Sequence, residues 1–459
     1  MTSPDRTSGG RDKSRVCRLL GQLAITPGLI TPALITMSLI AAAVDGPARA
    51  ESADGPDVAD TLGAAITEGT PSLQVRPRFE VVQQQGKAEA QAATVRTLLG
   101  YSTKPVAGLG ATVQFIDVAV ADADHYNVPV LDVHSNRANI LDPRAANVNQ
   151  AYVSYEGLPD TRLVGGRQII KLDDERFVGN VDFRQNMQTF DGVSAVNKSL
   201  PDVRLFGAYL FGLKDILNQQ VAQRTFLAEA NWSKFKQLQA DAFGYWYGNE
   251  AAEYDVVPGA AGCYEGPTAQ SCNSVTYGGR LHGRIGLPAQ LKLDYVGEYA
   301  RQSAYDGGNA AIDAVYGHGG GKLHWKDYYI GGDYMVMGSN DGRYGFQTPL
   351  ATKHAFNGWA ELFLTTPKEG LRSSYGTIGG MLFGSNLLAR YYLFRSDFQD
   401  RDLGHEWDFS WTCPLTKHWQ GGLEYAKYHA GNAGFTDTTS GPGRLANTNA
   451  MWAFVAAGF

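Results

Sequence analysis

From about residue 72 to the C-terminus, apolar and polar side chains alternate in stretches of roughly ten residues, the length a tilted membrane strand needs. Neighbouring side chains of an extended strand point to opposite faces, so a period of two predicts strands. After Cys272, Val275, Tyr277, Leu281 and Ile285 fall on one face, and Thr276, Arg280, His282 and Arg284 on the other. Trp407, Phe409 and Trp411 alternate with Glu406, Asp408, Ser410 and Thr412. Leu291, Leu293, Tyr295 and Tyr299 alternate with Lys292, Asp294 and Glu298.

The connections follow their own rhythm. Short turns are expected near Lys104-Pro105, Leu158-Pro159, Leu200-Pro201, Ser233-Lys234, Leu287-Pro288, Trp325-Lys326, Gly384-Ser385 and Pro414-Leu415. Between them lie longer polar stretches, about 84–93, 120–147, 171–189, 212–222, 249–273, 303–311, 338–370, 397–404 and 429–448. Eight short and nine long connections predict eighteen strands, provided that the strand-like run Ala355–Leu364 belongs to the 338–370 loop. Keeping that run as a strand would give an odd number and put its neighbours out of phase, whereas bacterial single-chain barrels have an even number. Short turns on one side and long loops on the other are the outer-membrane arrangement; a soluble sandwich has no reason to keep that order. The fold class expected is an all-β, antiparallel transmembrane barrel spanning 72–459.

The first fifty residues change the picture of the mature chain. Arg6, Arg11, Lys13, Arg15 and Arg18 precede a largely apolar run from Leu19 to Val44, broken by Pro27, Gly28 and Pro32. Ala48-Arg49-Ala50 then offers a small-x-small cleavage site, so residues 1–50 read as an export signal and 51–71 as an N-terminal periplasmic segment. The signal carries six basic and three acidic side chains, which takes the net charge from −6 to −9 in the mature chain. A nucleic-acid partner is not expected of so acidic a protein. In an oxidising compartment Cys263 and Cys272 are expected to pair, while Cys413, with no evident partner in the sequence, reads as a buried or strand-end thiol. The chain closes on Trp452-Ala453-Phe454-Val455-Ala456-Ala457-Gly458-Phe459, and a terminal Phe on an apolar strand suits the barrel-assembly machinery as a partner, with outer-membrane lipid around the wall.

Enzyme and cofactor signals are scarce. Gly317-His318-Gly319-Gly320-Gly321 resembles an esterase oxyanion loop, but no G-x-S-x-G elbow accompanies it, and a Gly-rich strand is the simpler reading. Asp173-Asp174-Glu175 offers oxygen ligands for calcium, yet reads better as an acidic loop paired with Arg176. Neither catalytic residues nor a cofactor nor a metal is expected. Arginine carries the candidate chemistry: Arg76, Arg78, Arg96, Arg167, Arg280, Arg284, Arg372, Arg390 and Arg395 all fall in strand-like segments. An arginine facing lipid at the bilayer midplane costs about 2–4 kcal/mol, so these are expected to line the lumen. There the planar guanidinium suits carboxylates. Glu80, Glu229, Asp294, Glu298 and Glu424 are expected on the same inner face.

Three stretches carry a family resemblance. They are Val164-Gly165-Gly166-Arg167-Gln168 with Asp173-Asp174-Glu175-Arg176-Phe177-Val178-Gly179 and Phe190-Asp191-Gly192-Val193; Phe346-Gln347-Thr348-Pro349-Leu350-Ala351-Thr352-Lys353-His354 with Phe356-Asn357-Gly358-Trp359; and Gly404-His405-Glu406-Trp407-Asp408 leading to Pro414-Leu415-Thr416-Lys417. In these the chain resembles the alginate export family. That resemblance implies an eighteen-stranded porin with an electropositive constriction, passing an anionic polysaccharide or oligouronate, with Arg167 the position carried over most directly. The alternative is an uptake porin for small organic acids or other solutes.

Overall fold

The computed structural model describes residues 58–129, 134–249, 272–432 and 445–459. The expected export signal lies outside the described residues. Within the expected periplasmic segment a helix, α1 (Val58–Thr67), leads directly into the barrel. No helix among the described residues is long and apolar enough to cross a membrane.

The strands run in chain order around a ring. β1 (Thr70–Gln84), β2 (Ala90–Ser102), β3 (Leu109–Val120), β4 (Ala145–Leu158) and β5 (Thr161–Gln168) come first. They are followed by β6 (Thr189–Asn197), β7 (Val203–Lys214), β8 (Gln220–Phe235) and β9 (Leu238–Tyr247). The second half holds β10 (Ser274–Gly286), β11 (Leu291–Ala304), β12 (Asp313–Trp325), β13 (Tyr328–Met337) and β14 (Leu371–Leu382). β15 (Ser385–Arg395), β16 (Asp402–Pro414), β17 (Trp419–Ala430) and β18 (Thr448–Gly458) complete it. Each pairs antiparallel with its sequence neighbours, and β1 pairs with β18 from Gln74↔Gly458 to Gln84↔Thr448, which closes the sheet and leaves no open edge. The chain is a closed eighteen-stranded barrel. Its eight short turns and nine longer loops fall on opposite rims, and Ala355–Leu364 is part of the 338–370 loop as expected.

The wall is sided as the alternation predicts. Val153, Val193, Leu281, Ile330 and Ile378 are each more than half exposed on the outer face, an apolar band that has no place in water over so large an area. Exposed aromatics gather at the turn rim (Phe235, Trp325, Tyr328, Phe383, Trp419) and again towards the loop rim (Phe226, Tyr277, Tyr299, Tyr334, Trp407), the two levels where amphipathic rings meet headgroups. This is a membrane-spanning barrel of the outer membrane. Facing inward, Glu80, Glu229, Glu298 and Glu406 are buried, an unusual state for carboxylates, and it arises because two loops fold into the lumen. Cys413 is buried at the end of β16, and no described cysteine is a free thiol, contrary to the expectation for this residue. The expected partner of Cys272, Cys263, lies outside the described residues.

Candidate functional site: the loop-lined lumen

The inner face of β1 is set by its outer one. Leu73 and Phe79 are exposed to lipid, so Gln74, Arg76, Arg78 and Glu80 point into the barrel. Arg96 lies directly across from Arg76 on β2 and shares that face. These three arginines grip the 169–188 loop. Arg76 donates from Nε to Gln185 Oε1 at 3.1 Å, from Nη1 to Asp182 O at 2.8 Å, and from Nη2 to Phe183 O and Arg184 O at 3.1 and 2.7 Å. Arg78 donates to Phe183 O at 2.5 Å and to Glu80 at 2.9 Å, and pairs closely with Asp142 of the 121–144 loop. Arg96 reaches Asp182 Oδ1 at 2.6 Å.

Loop residues complete this cluster. Arg184 lies 3.3 Å from Glu80 and 3.5 Å from Asp142, and pairs with Glu361 of the 338–370 loop. Gln185 N–H donates to Asp142 Oδ1 at 2.7 Å. Burial pushes the Asp142 carboxyl up, but Arg78, Arg184 and that N–H outweigh it and hold the group below its ordinary value. Asp182 is only half-buried, but the direction is the same: its partial burial raises it, and Arg96 and Arg76 outweigh that and bring it lower.

The opposite wall holds the other end of the loop. β10 is nine strands from β1 in a ring of eighteen, so Arg280 faces Arg76 across the lumen. It pairs with Asp173 and lies 3.6 Å from Asp174. Phe177 then packs into an aromatic nest, with ring centroids 4.9 Å from Phe243, 5.4 Å from Tyr316 and 6.2 Å from Phe346. Arg176 lies over Phe356 and Tyr316 at 4.7 and 5.4 Å instead of pairing with the acidic run beside it, which corrects that expectation. The loop therefore spans from β10 to β1.

The 338–370 loop is joined to it along its middle. Gly179 N–H donates to Leu350 O at 2.9 Å and Thr352 N–H to Glu175 O at 3.0 Å. His354 stacks on Phe183 at 3.3 Å and 7°, with Nδ1 2.9 Å from Glu361 and Nε2 at ion-pair distance, 3.6 Å, from Glu424. Further along, Trp359 sits under the Arg390 guanidinium and Ala360 N–H donates to Glu406 Oε1 at 2.7 Å. Gly358 makes that approach feasible: its φ of +88° disfavours any side chain, and a Cβ there would meet the Glu406 carboxylate. Lys171 and Asp182 keep about half of their side-chain surface open, which marks the side of the loop that faces the remaining passage.

Six of the nine strand arginines point inward: Arg76, Arg78, Arg96, Arg280, Arg284 and Arg390. The other three do not line the lumen. Arg167 shares its face with Leu163, and its partner Asp191 (Nε–Oδ1 2.7 Å) shares one with lipid-exposed Val193. Arg372 and Arg395 oppose one another on the face of Leu393 and converge on Asp400. All three lie at the loop ends of their strands, where the penalty for an outward arginine falls to about 0–1 kcal/mol and an adjacent Asp is available. Midplane cost is what orients arginine inward, and these positions escape it. Conversely, Arg184, Asp142, His354 and Glu361 join the site from loops, where no strand period marks them.

The chain matches no protein-family model and no curated relative. Solved structures share its architecture. OpdL of Pseudomonas aeruginosa is 14% identical with a TM-score of 0.61, over 86% of this chain and 99% of that one. OccK9 (OpdG) of the same organism gives 13% and 0.63, again over 86% and 99%. OccAB3 of Acinetobacter baumannii gives 11% and 0.63, over 86% of this chain and all of that one. The fold is that of an outer-membrane porin. Nothing in these likenesses carries the alginate export resemblance, because the neighbours are Occ and Opd porins.

Proposed function

We propose that the protein is a passive outer-membrane uptake channel for small anionic solutes, organic acids foremost. The observation that carries this reading is Arg76: its four hydrogen bonds all go to uncharged oxygens, and no carboxylate among the described residues sits within ion-pair distance of it. The neighbouring Arg78, Arg96 and Arg184 are ion-paired, so Arg76 is the arginine of this cluster best placed to attract a passing carboxylate. The two inward loops, bonded to each other and to opposite walls, favour a small solute over a polymer that would have to thread between them. The resemblance to alginate exporters thus gives way to the alternative reading.

The test is ion selectivity in a planar bilayer under a salt gradient. A reversal potential favouring anions, moved towards cations in Arg76→Glu, is expected. Cation preference indifferent to Arg76→Glu, or no current at all, would sink the reading.

A further inference from the structure

At the turn rim, the inner face of three adjacent strands gathers basic side chains far from the arginines of β1 and β2. Arg284 on β10, Asp294 on β11 and Lys322 on β12 form one cross-strand row; Lys292 and His324 form the next row towards the rim. Their direction follows from their neighbours. Lys292 and Asp294 share a face with buried Glu298 and Gln302, and Lys322 and His324 share one with buried Tyr316, whereas Leu323 and Trp325 are exposed to lipid.

One carboxylate serves this group, and it is already occupied. Asp294 Oδ1 accepts from Arg284 Nε at 2.5 Å, and Oδ2 from Arg284 Nη2 at 2.6 Å and from His324 Nε2 at 2.9 Å. The next carboxylates deeper in the barrel are paired too, Asp333 with His318 and Asp241 with His282, both at 3.1 Å. Asp327 is exposed in the turn beyond Trp325, outside both rows. Lys292 and Lys322 are left without an ion pair, diagonal neighbours on an antiparallel pair and therefore about 7–8 Å apart at their backbones. The Lys322 stem lies over Gly331, where a Cβ would collide with it, and Gly286 opposite Lys292 leaves open space.

We propose that Lys292 and Lys322, backed by Arg284 and His324, form a binding site at the turn-side mouth for anions carrying two or more carboxylates. Two ammonium groups that far apart engage two carboxylates of one molecule, whereas a monocarboxylate meets only one of them. Arg284 and His324 contribute by occupying Asp294, so that no fixed anion competes for the lysines. The site rests on the reading of the lumen as a solute path, but its occupancy can be measured apart from transport.

Titration calorimetry of the purified protein with citrate, and with acetate as the monovalent comparison, tests it. Citrate is expected to bind at least tenfold more tightly than acetate, Lys292→Gln/Lys322→Gln to weaken citrate at least tenfold, and Lys292→Arg/Lys322→Arg to restore it. Equal binding of citrate and acetate, or citrate affinity unmoved in the glutamine variant, overturns the site. A glutamine variant that does not fold is replaced in the comparison by Lys322→Gln alone, for which a loss of threefold or more is expected and no loss overturns the proposal. If citrate binds as expected but the channel passes no current, the transport reading fails and the site stands.

Discussion

At the scale of the residue, His354 is the group whose chemistry the loops exploit most directly. It is enclosed by Phe183, Trp359 and Trp452, with Glu361 and Glu424 at its nitrogens and Arg184 and Arg78 nearby. Burial lowers its pKa from 6.5 to about 4, with the two arginines adding to the drop and Glu424 opposing it. The neutral ring is therefore the docked form. Its contribution is fully present above pH 6.5, falls as the pH drops from 6.5 to about 4, and is gone below. The slope in that window is up to about 1.4 kcal/mol per pH unit, the free energy of one proton bound only by the released state. Asp142 and Asp182, held below 3.8 by their arginines, lose their contribution at lower pH than this window. Amide exchange across residues 350–361 should accelerate as the pH falls through it, after correction for the intrinsic rate, and His354→Gln should flatten the dependence. A wild-type profile as flat as the variant's would refute the assignment. The neighbouring Arg78–Asp142 pair is a different case. Breaking a buried pair costs about 3–5 kcal/mol because one charge is stranded, so that cluster fixes the loops at all ordinary pH values.

At the scale of the element, strands and connections were legible in the residues, while the insides of the loops were not. Alternation around Trp407 and Tyr277 marked both faces, and the turn residues set the count that kept Ala355–Leu364 in a loop. A loop that plugs a lumen has no period, so Arg184, His354 and Glu361 carry no positional signal. Their partners are fixed by tertiary contacts with β1, β17 and each other. The contacts between the two loops predict that they act as one unit. Val178 and Leu350 are bridge partners, so Val178→Cys/Leu350→Cys should cross-link under oxidation with no change in single-channel conductance. Gly179→Val should do the reverse, because its Cβ would press on Thr352 and Glu175 and part the loops, raising conductance about twofold or more. An oxidised pair that blocks the current would mean that the loops must separate for passage.

At the scale of the whole molecule, the barrel wall divides the arginines into two populations that a sequence alone treats alike. Parity was available for all nine, and Arg395 plainly alternates with Tyr392 and Phe394 rather than with Leu393. The rule that strand arginines turn inward overrode it, and that rule holds only at hydrocarbon depth. A protein-and-lipid wall therefore stands between Arg167, Arg372 or Arg395 and the conducting water. Each also has a countercharge, Asp191 for the first and a shared Asp400 for the other two. In 0.1 M salt the Debye length is about 10 Å, which further damps any influence through the mouth of the pore. Charge reversal at each of these three, one at a time, should leave the reversal potential where the wild type has it. Arg76→Glu, on the inner face and without a carboxylate partner, should move it. The comparison is internal, since all four variants replace a strand arginine by the same side chain in the same barrel. If Arg167→Glu shifted selectivity as far as Arg76→Glu, the path of ions would have to run closer to β5 than its lipid-facing row allows, and the assignment of faces in that part of the wall would be wrong.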